Sequence, residues 1–177
     1  MPSVSTTTKL TYEDYVLIPD DGLRHEIIDG EHYVNPAPNA RHQRILLRLA
    51  VALHNHVEPR HSGEVFVAPF DVVMSTFDIV QPDILFITAE HAALLTEKNL
   101  QGTPDLVVEI LSPANRRYDE RVKLERYDRF GAREYWIVDP EEEAITIHRR
   151  GASMLECVVR SMTDGHVTSP LLPEFSL

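Results

Sequence analysis

Hydrophobic positions along this chain switch between a two-residue and a helical period, and two stretches are apolar almost without a break. These are Gln81-Pro82-Asp83-Ile84-Leu85-Phe86-Ile87 and Pro104-Asp105-Leu106-Val107-Val108-Glu109-Ile110-Leu111. The second has the aliphatic, β-branched composition of a central strand covered on both faces. Ahead of them, residues 11–17 read as a short helix capped by Thr11, with Asp14 at its third position. Residues 24–28 and 31–35 flank Asp29-Gly30, a strong two-residue hairpin signal. Asn39 caps a predicted helix reaching to about Val57, on which His42, Leu46, Leu49 and Leu53 share one face, with Arg41, Arg44 and Arg48 as a basic stripe beside it.

The next predicted strands cover residues 64–74, where Pro69 requires an edge or a bulge, and 79–87. Residues 89–97 look helical. The Glu109 strand is followed by a helix over about 118–130 that ends at Gly131, a natural left-handed cap. A strand over 134–139 carries the lone Trp136, a core residue. Residues 144–149 pair back on it as a hairpin, and 154–160 and 166–168 supply shorter strands. This order predicts an α/β fold in which a mixed β-sheet is flanked by α-helices, with an N-terminal β-hairpin.

Composition narrows the function. At 177 residues the chain supports one well-filled domain, expected over 11–177, behind a flexible leader at 1–10. A net charge of −11 makes it a poor non-specific polyanion binder, so any nucleic-acid contact has to be local or metal-assisted. The single Cys157 allows no intrachain disulfide. No apolar run reaches membrane-span length, and the N-terminus lacks the parts of a secretory signal, so a cytoplasmic protein is expected. There is no phosphate-cradling glycine loop, serine elbow or zinc spacing, and His54 and His56 fall on opposite sides of their helix.

The chemistry resides in the acids that interrupt apolar strands. A buried, unpaired carboxylate costs several kcal/mol, roughly, so Glu109 needs a cation or donors nearby. Lys123, Tyr127 and Phe130 lie at i, i+4 and i+7, which places the lysine with two aromatic rings on one helix face. Asp83, Glu109 and Lys123 together suit a hard divalent cation such as Mg²⁺, with Asp83 and Glu109 as its ligands. A carboxylate such as Glu109 within an aliphatic strand is seldom accidental, but the other candidates have plainer readings. Asp83 serves as a strand-entry residue, Lys123 as a solvated lysine or the partner of Asp119 one turn earlier, Glu26 as a hairpin salt-bridge acid, and His42 as a hydrogen-bonded core histidine.

The order His25-Glu26-Ile27-Ile28-Asp29-Gly30-Glu31, Pro36-Ala37-Pro38 with His42, Gln81-Pro82-Asp83, the Pro104 to Pro113 run, Asp119, Lys123, Tyr127, Gly131 and Glu134 to Pro140 resembles a known family. It is the Uma-two family of the PD-(D/E)XK nuclease superfamily. The resemblance implies a restriction-endonuclease-like fold and a metal-dependent phosphodiesterase site. By position, Asp83 and Glu109 match the two acids of the superfamily motif. The motif's lysine would fall at position 111, which is Leu; Lys123 on the following helix is its migrated replacement. Glu26 enters as an additional acid on the metal side, and His42 as a residue supporting the site.

The expected function is therefore a Mg²⁺- or Mn²⁺-dependent endonuclease acting on DNA. A competing reading keeps the fold as a catalytically degenerate binding or assembly module, such as a homodimer, in which Glu109 and Lys123 survive as an ion pair. A third is hydrolysis of a small phosphate ester by the same acids.

Overall fold

Thr11 begins the first helix, α1 (Tyr12–Tyr15), through a reciprocal capping box with Asp14. The structure, a computed structural model, describes residues 8–113, 115–162 and 166–177; the expected leader lies outside the described residues as far as residue 7. Strands β1 (Arg24–Ile28) and β2 (Glu31–Asn35) form the hairpin read from the sequence, in a register that sets Arg24 opposite Asn35 and Glu26 opposite Tyr33. Its turn needs two left-handed residues, Asp29 at φ 52° and Gly30 at φ 78°. Glycine has a second reason at position 30, because an added Cβ would run into the backbone and side chain of Lys9.

Asn39 accepts a hydrogen bond from the His42 amide and opens α2 (Ala40–Val57). Leu49, Leu53 and Val57 are buried along the inner face, with Leu46 packed partly against the same core. After α2 come β3 (Gly63–Val67), β4 (Asp71–Ser75), β5 (Asp78–Val80) and β6 (Ile84–Thr88). These are four strands where the pattern predicts two. The breaks fall at Ala68-Pro69-Phe70 and at Gln81-Pro82-Asp83, where a proline without an N–H cannot continue a ladder. Each break also transfers the chain between sheets.

Residues 89–97 form a 3₁₀ segment over Ala89–Leu94, then β7 (Asn99–Gln101), a polar three-residue strand with no apolar pattern to announce it. β8 (Leu106–Ile110) carries Glu109. The predicted helix over 118–130 is a π-helical turn, Tyr118–Lys123, continuing into α3 (Leu124–Arg129). β9 (Glu134–Asp139), β10 (Ala144–Arg150) and β11 (Leu155–Met162) complete the strands, whereas residues 166–168 form none; Val167 there exchanges backbone hydrogen bonds with Leu177.

Two mixed sheets result, with orders β2-β1-β5-β4-β7 and β11-β10-β9-β8-β6-β3. In the larger one β8 and β9 run parallel, Ile110 opposite Val138, so their C-terminal ends emerge side by side. Alternation along β8 divides the core. Leu106, Val108 and Ile110 pack under α2, while Val107 and Leu111 join Tyr127, Tyr135 and residues of the smaller sheet. Glu109 shares the second face and is thereby aimed at the π turn.

Candidate active site

The C-terminal end of β8, the entry to β6, the start of α2, the N-terminal hairpin and the π turn meet around a cavity of about 220 Å³. Asp83, Glu109, Lys123 and His42 line it, as do Arg24, Asn35, Asn115 and Asp119. Glu26 lies directly behind, fully buried. All five residues selected from the sequence are thus brought together.

Lys123 is the hub. Its Nζ stands 3.0 Å from Glu109 Oε1, 3.0 Å from Glu26 Oε1 and 3.6 Å from Asp119 Oδ1, with the Tyr118 ring 5.4 Å away as a cation–π partner. Pairing with Asp119 alone, the plainer reading, describes only the longest of its three ion pairs. Burial would lower the lysine's pKa, but Glu109, Glu26 and Asp119 together hold it above the ordinary value, so the ammonium stays charged. Burial pushes the Glu109 carboxyl well above the usual range; Lys123 pulls it down, and the like charges of Asp119, Asp83 and Glu26 add to the rise. Asp119 is pushed up to about 6 by burial in the same way, against Lys123.

Glu26 is no surface hairpin acid. Its Oε1 accepts the Gln81 amide at 2.7 Å and its Oε2 accepts Asn35 Nδ2 at 2.6 Å, so the smaller sheet's hairpin is fastened to the loop that carries Asp83. Asn35 Oδ1 in turn accepts from Asn115 at 3.0 Å.

Asp83 holds a second knot. Oδ1 accepts from Arg24 at 2.9 Å, and Oδ2 accepts from the Ile110 amide and lies 2.9 Å from His42 Nε2. Burial raises this carboxyl's pKa, but the His42 contact, Arg24 and the Ile110 amide outweigh it and leave the group below its ordinary value. With Nε2 engaged by the carboxylate, His42 Nδ1 is buried with no hydrogen-bond partner among the described residues.

The cations lie between the acids. Among the described residues no group of three or more His, Cys, Asp and Glu side chains stands ready as a metal cluster. Formally, the four carboxylates of Glu26, Asp83, Glu109 and Asp119 face two fixed cations, Lys123 and Arg24, and the site retains an acidic excess.

Arg24 and Asn35 were not singled out from the sequence, yet the signal was there. Side chains two apart in a strand share a face, so a Glu26 turned to the site takes Arg24 with it, and the Asp29-Gly30 turn sets Asn35 opposite Arg24.

A family model described as Uma2: Putative restriction endonuclease matches residues 12–177. Among solved structures, the fold is similar to that of a putative nuclease belonging to DUF820 from Anabaena variabilis ATCC 29413. That likeness has a TM-score of 0.79 and 20% identity over 95% of this chain and 94% of that one. A more distant likeness, to the type IIG restriction endonuclease BpuSI, has a TM-score of 0.41 and 14% identity over 68% of this chain and 13% of that one. No curated protein matches the chain.

Proposed function

This chain belongs to the Uma2 family of putative restriction endonucleases, and we propose that it is a Mg²⁺- or Mn²⁺-dependent endonuclease hydrolysing phosphodiester bonds in DNA. The observation that carries this reading is the acidic excess around one cavity: four buried carboxylates, two of them with raised pKa values, against two fixed cations. Carboxylates crowded in this way favour a further cation, and an all-oxygen donor set suits a hard divalent one. Asp83 and Glu109, which line the cavity from the entry to β6 and from its neighbour β8, are the residues that would hold it. Bound there, such an ion polarises a phosphoryl oxygen and lowers the pKa of a water.

The chain's own groups supply the rest. Lys123, held charged by three acids, donates to the attacking water or to the charge that builds on the phosphoryl oxygens. Glu26 fixes the lysine's position from behind and keeps the Gln81 to Asp83 loop in place. Arg24, whose side chain is 21% exposed, can turn from Asp83 towards a substrate phosphate and release one carboxylate oxygen. His42 keeps the other oxygen oriented.

A second reading rests on the same contacts. Both Asp83 oxygens are engaged and Lys123 bridges Glu26 and Glu109, which is also the arrangement of a self-neutralised core in a non-catalytic module. Incubation with plasmid and single-stranded DNA in Mg²⁺, Mn²⁺ or EDTA separates the two. Metal-dependent cleavage by the wild type, lost in folded Asp83→Asn and Glu109→Gln, is the expected outcome. Absence of both cleavage and Mn²⁺ binding supports the module.

A further inference from the structure

Arg41, Arg44 and Arg48 are all exposed and follow one face of α2 at i, i+3 and i+7. Among the described residues, neither Arg44 nor Arg48 has an ion-pair partner, and Arg41 reaches only Glu143 at 3.4 Å, both side chains more than half exposed. Such a pair is weak and readily exchanged. The chain carries 28 acidic residues, yet none falls within the 18 residues of α2. On so acidic a protein this helix is therefore a segment of purely positive formal charge.

The stripe overhangs a groove of about 390 Å³ whose floor includes Val138, Asp139 and Pro140 at the end of β9. That places it beside the cavity. Val138 is the register partner of Ile110, which lines the cavity wall, and parallel neighbours stand only about 4.8 Å apart. His42, adjacent to Arg41, enters the cavity itself. The groove's own acids leave Arg44 and Arg48 uncompensated: Asp139 is held by Arg116 through contacts of 2.6 and 2.9 Å, and Glu143 is the exposed partner of Arg41.

From these observations we infer that Arg41, Arg44 and Arg48, with the groove beneath them, form the track along which one strand of a DNA duplex lies as it enters the cavity. The inference rests on the nuclease reading and adds the surface that brings the substrate in. The three arginines span about 10 Å of helix, the length of roughly three successive phosphates on one strand. Their exposure suits phosphate contact without sequence readout. Steering is local: the stripe attracts the backbone while the acidic remainder of the molecule repels it elsewhere.

The test is the salt dependence of binding, read by fluorescence anisotropy of a labelled duplex in EDTA across a range of NaCl concentrations. Arg44→Gln/Arg48→Gln is expected to weaken binding about tenfold or more near physiological salt and to flatten the log Kd against log salt slope by about 2. Arg60→Gln/Arg129→Gln removes the same charge elsewhere and should keep the wild-type slope. Glu143→Gln, which frees Arg41, should tighten binding.

An unchanged slope in the stripe variant, or an equal loss in the control pair, overturns the track. The same conclusion follows if the wild type fails to bind duplex at low salt. Hydrolysis of bis(4-nitrophenyl) phosphate by the wild type, measured in parallel with Mn²⁺, then separates the two failures. If it persists, the phosphodiesterase chemistry stands while the track falls; if it is absent too, the nuclease reading falls with it.

Discussion

Lys123 is 3% exposed and stands within 3.0 Å of two carboxylates, which makes it the residue on which site and stability most closely coincide. Removing one member of a buried ion pair typically costs about 3–5 kcal/mol, because the charge left behind is uncompensated, while removing both partners costs less. Lys123→Met should therefore be strongly destabilising in urea unfolding, and Lys123→Met/Glu109→Gln should recover about 1 kcal/mol or more of that loss. Strict additivity would mean that the two groups are not coupled. Asp119 adds a pH signature. Its carboxyl titrates near 6 in the folded protein and near 3.9 when unfolded, so the folded state holds the extra proton between those values. Its contribution to stability accordingly declines as pH rises from about 4 to about 6 and is level above that. In EDTA, Asp119→Asn should gain on the wild type across that window; parallel stability profiles would show that the carboxyl is not raised. Asp83 runs the opposite way: its folded value is depressed, and its contribution is lost only as pH falls below the ordinary carboxylate range.

At the level of elements, the close approaches of backbone decide which substitutions matter. Gly63 opens β3 at φ 154°, and a Cβ there would collide with the Ile87 carbonyl on the paired strand β6. Backbone cannot step aside as a side chain does, so Gly63→Ala should cost about 2 kcal/mol or more in unfolding experiments; a change below 0.5 kcal/mol, roughly, would contradict this. Asn39→Ala should cost about 1 kcal/mol, the usual penalty of a lost cap, and loosen the start of α2 that presents His42 to Asp83. Much of this scale was legible in the sequence, because a single local signal specified the element: the Thr11 and Asn39 caps, the Asp29-Gly30 turn and the aliphatic run before Glu109. The four strands between Gly63 and Thr88 were not, since apolar alternation passes through Pro69 and Pro82 without recording that the chain changes sheet. The π turn was hidden too. Its hydrogen bonding differs from an α-helix while its residue types do not, and it is what brings Asp119 and Lys123 over Glu109 together.

For the molecule as a whole, the decisive fact is that the candidate site belongs to neither sheet alone. Arg24, Glu26 and Asn35 come from the smaller sheet, Asp83 and Glu109 from the strands and entry loop of the larger, and His42 and Lys123 from the helical layers. The sequence supplied Glu109 as a conflict between an acid and its strand, but the partners that resolve it are separated along the chain by up to 97 residues in the case of Glu26 and Lys123. Only the assembled sheets reveal them. A ligand bound at this junction has almost no counterpart in the unfolded chain, so its binding energy is added to global stability. Under the metal-dependent reading, Mn²⁺ at 100 times its Kd should stabilise the protein by about 2.7 kcal/mol, raising Tm by roughly 5–10 °C for a chain of this size. Differential scanning fluorimetry reads this without any nuclease assay. Glu109→Gln should abolish the shift while keeping a single cooperative transition, since the amide is close in volume and can still accept from Lys123. Arg24→Ala should enlarge the shift at a given Mn²⁺ concentration, because it frees Asp83 Oδ1 from the guanidinium that competes for it. Equal shifts in all three proteins would place Mn²⁺ elsewhere on this acidic surface, and no shift in any of them would favour the self-neutralised core.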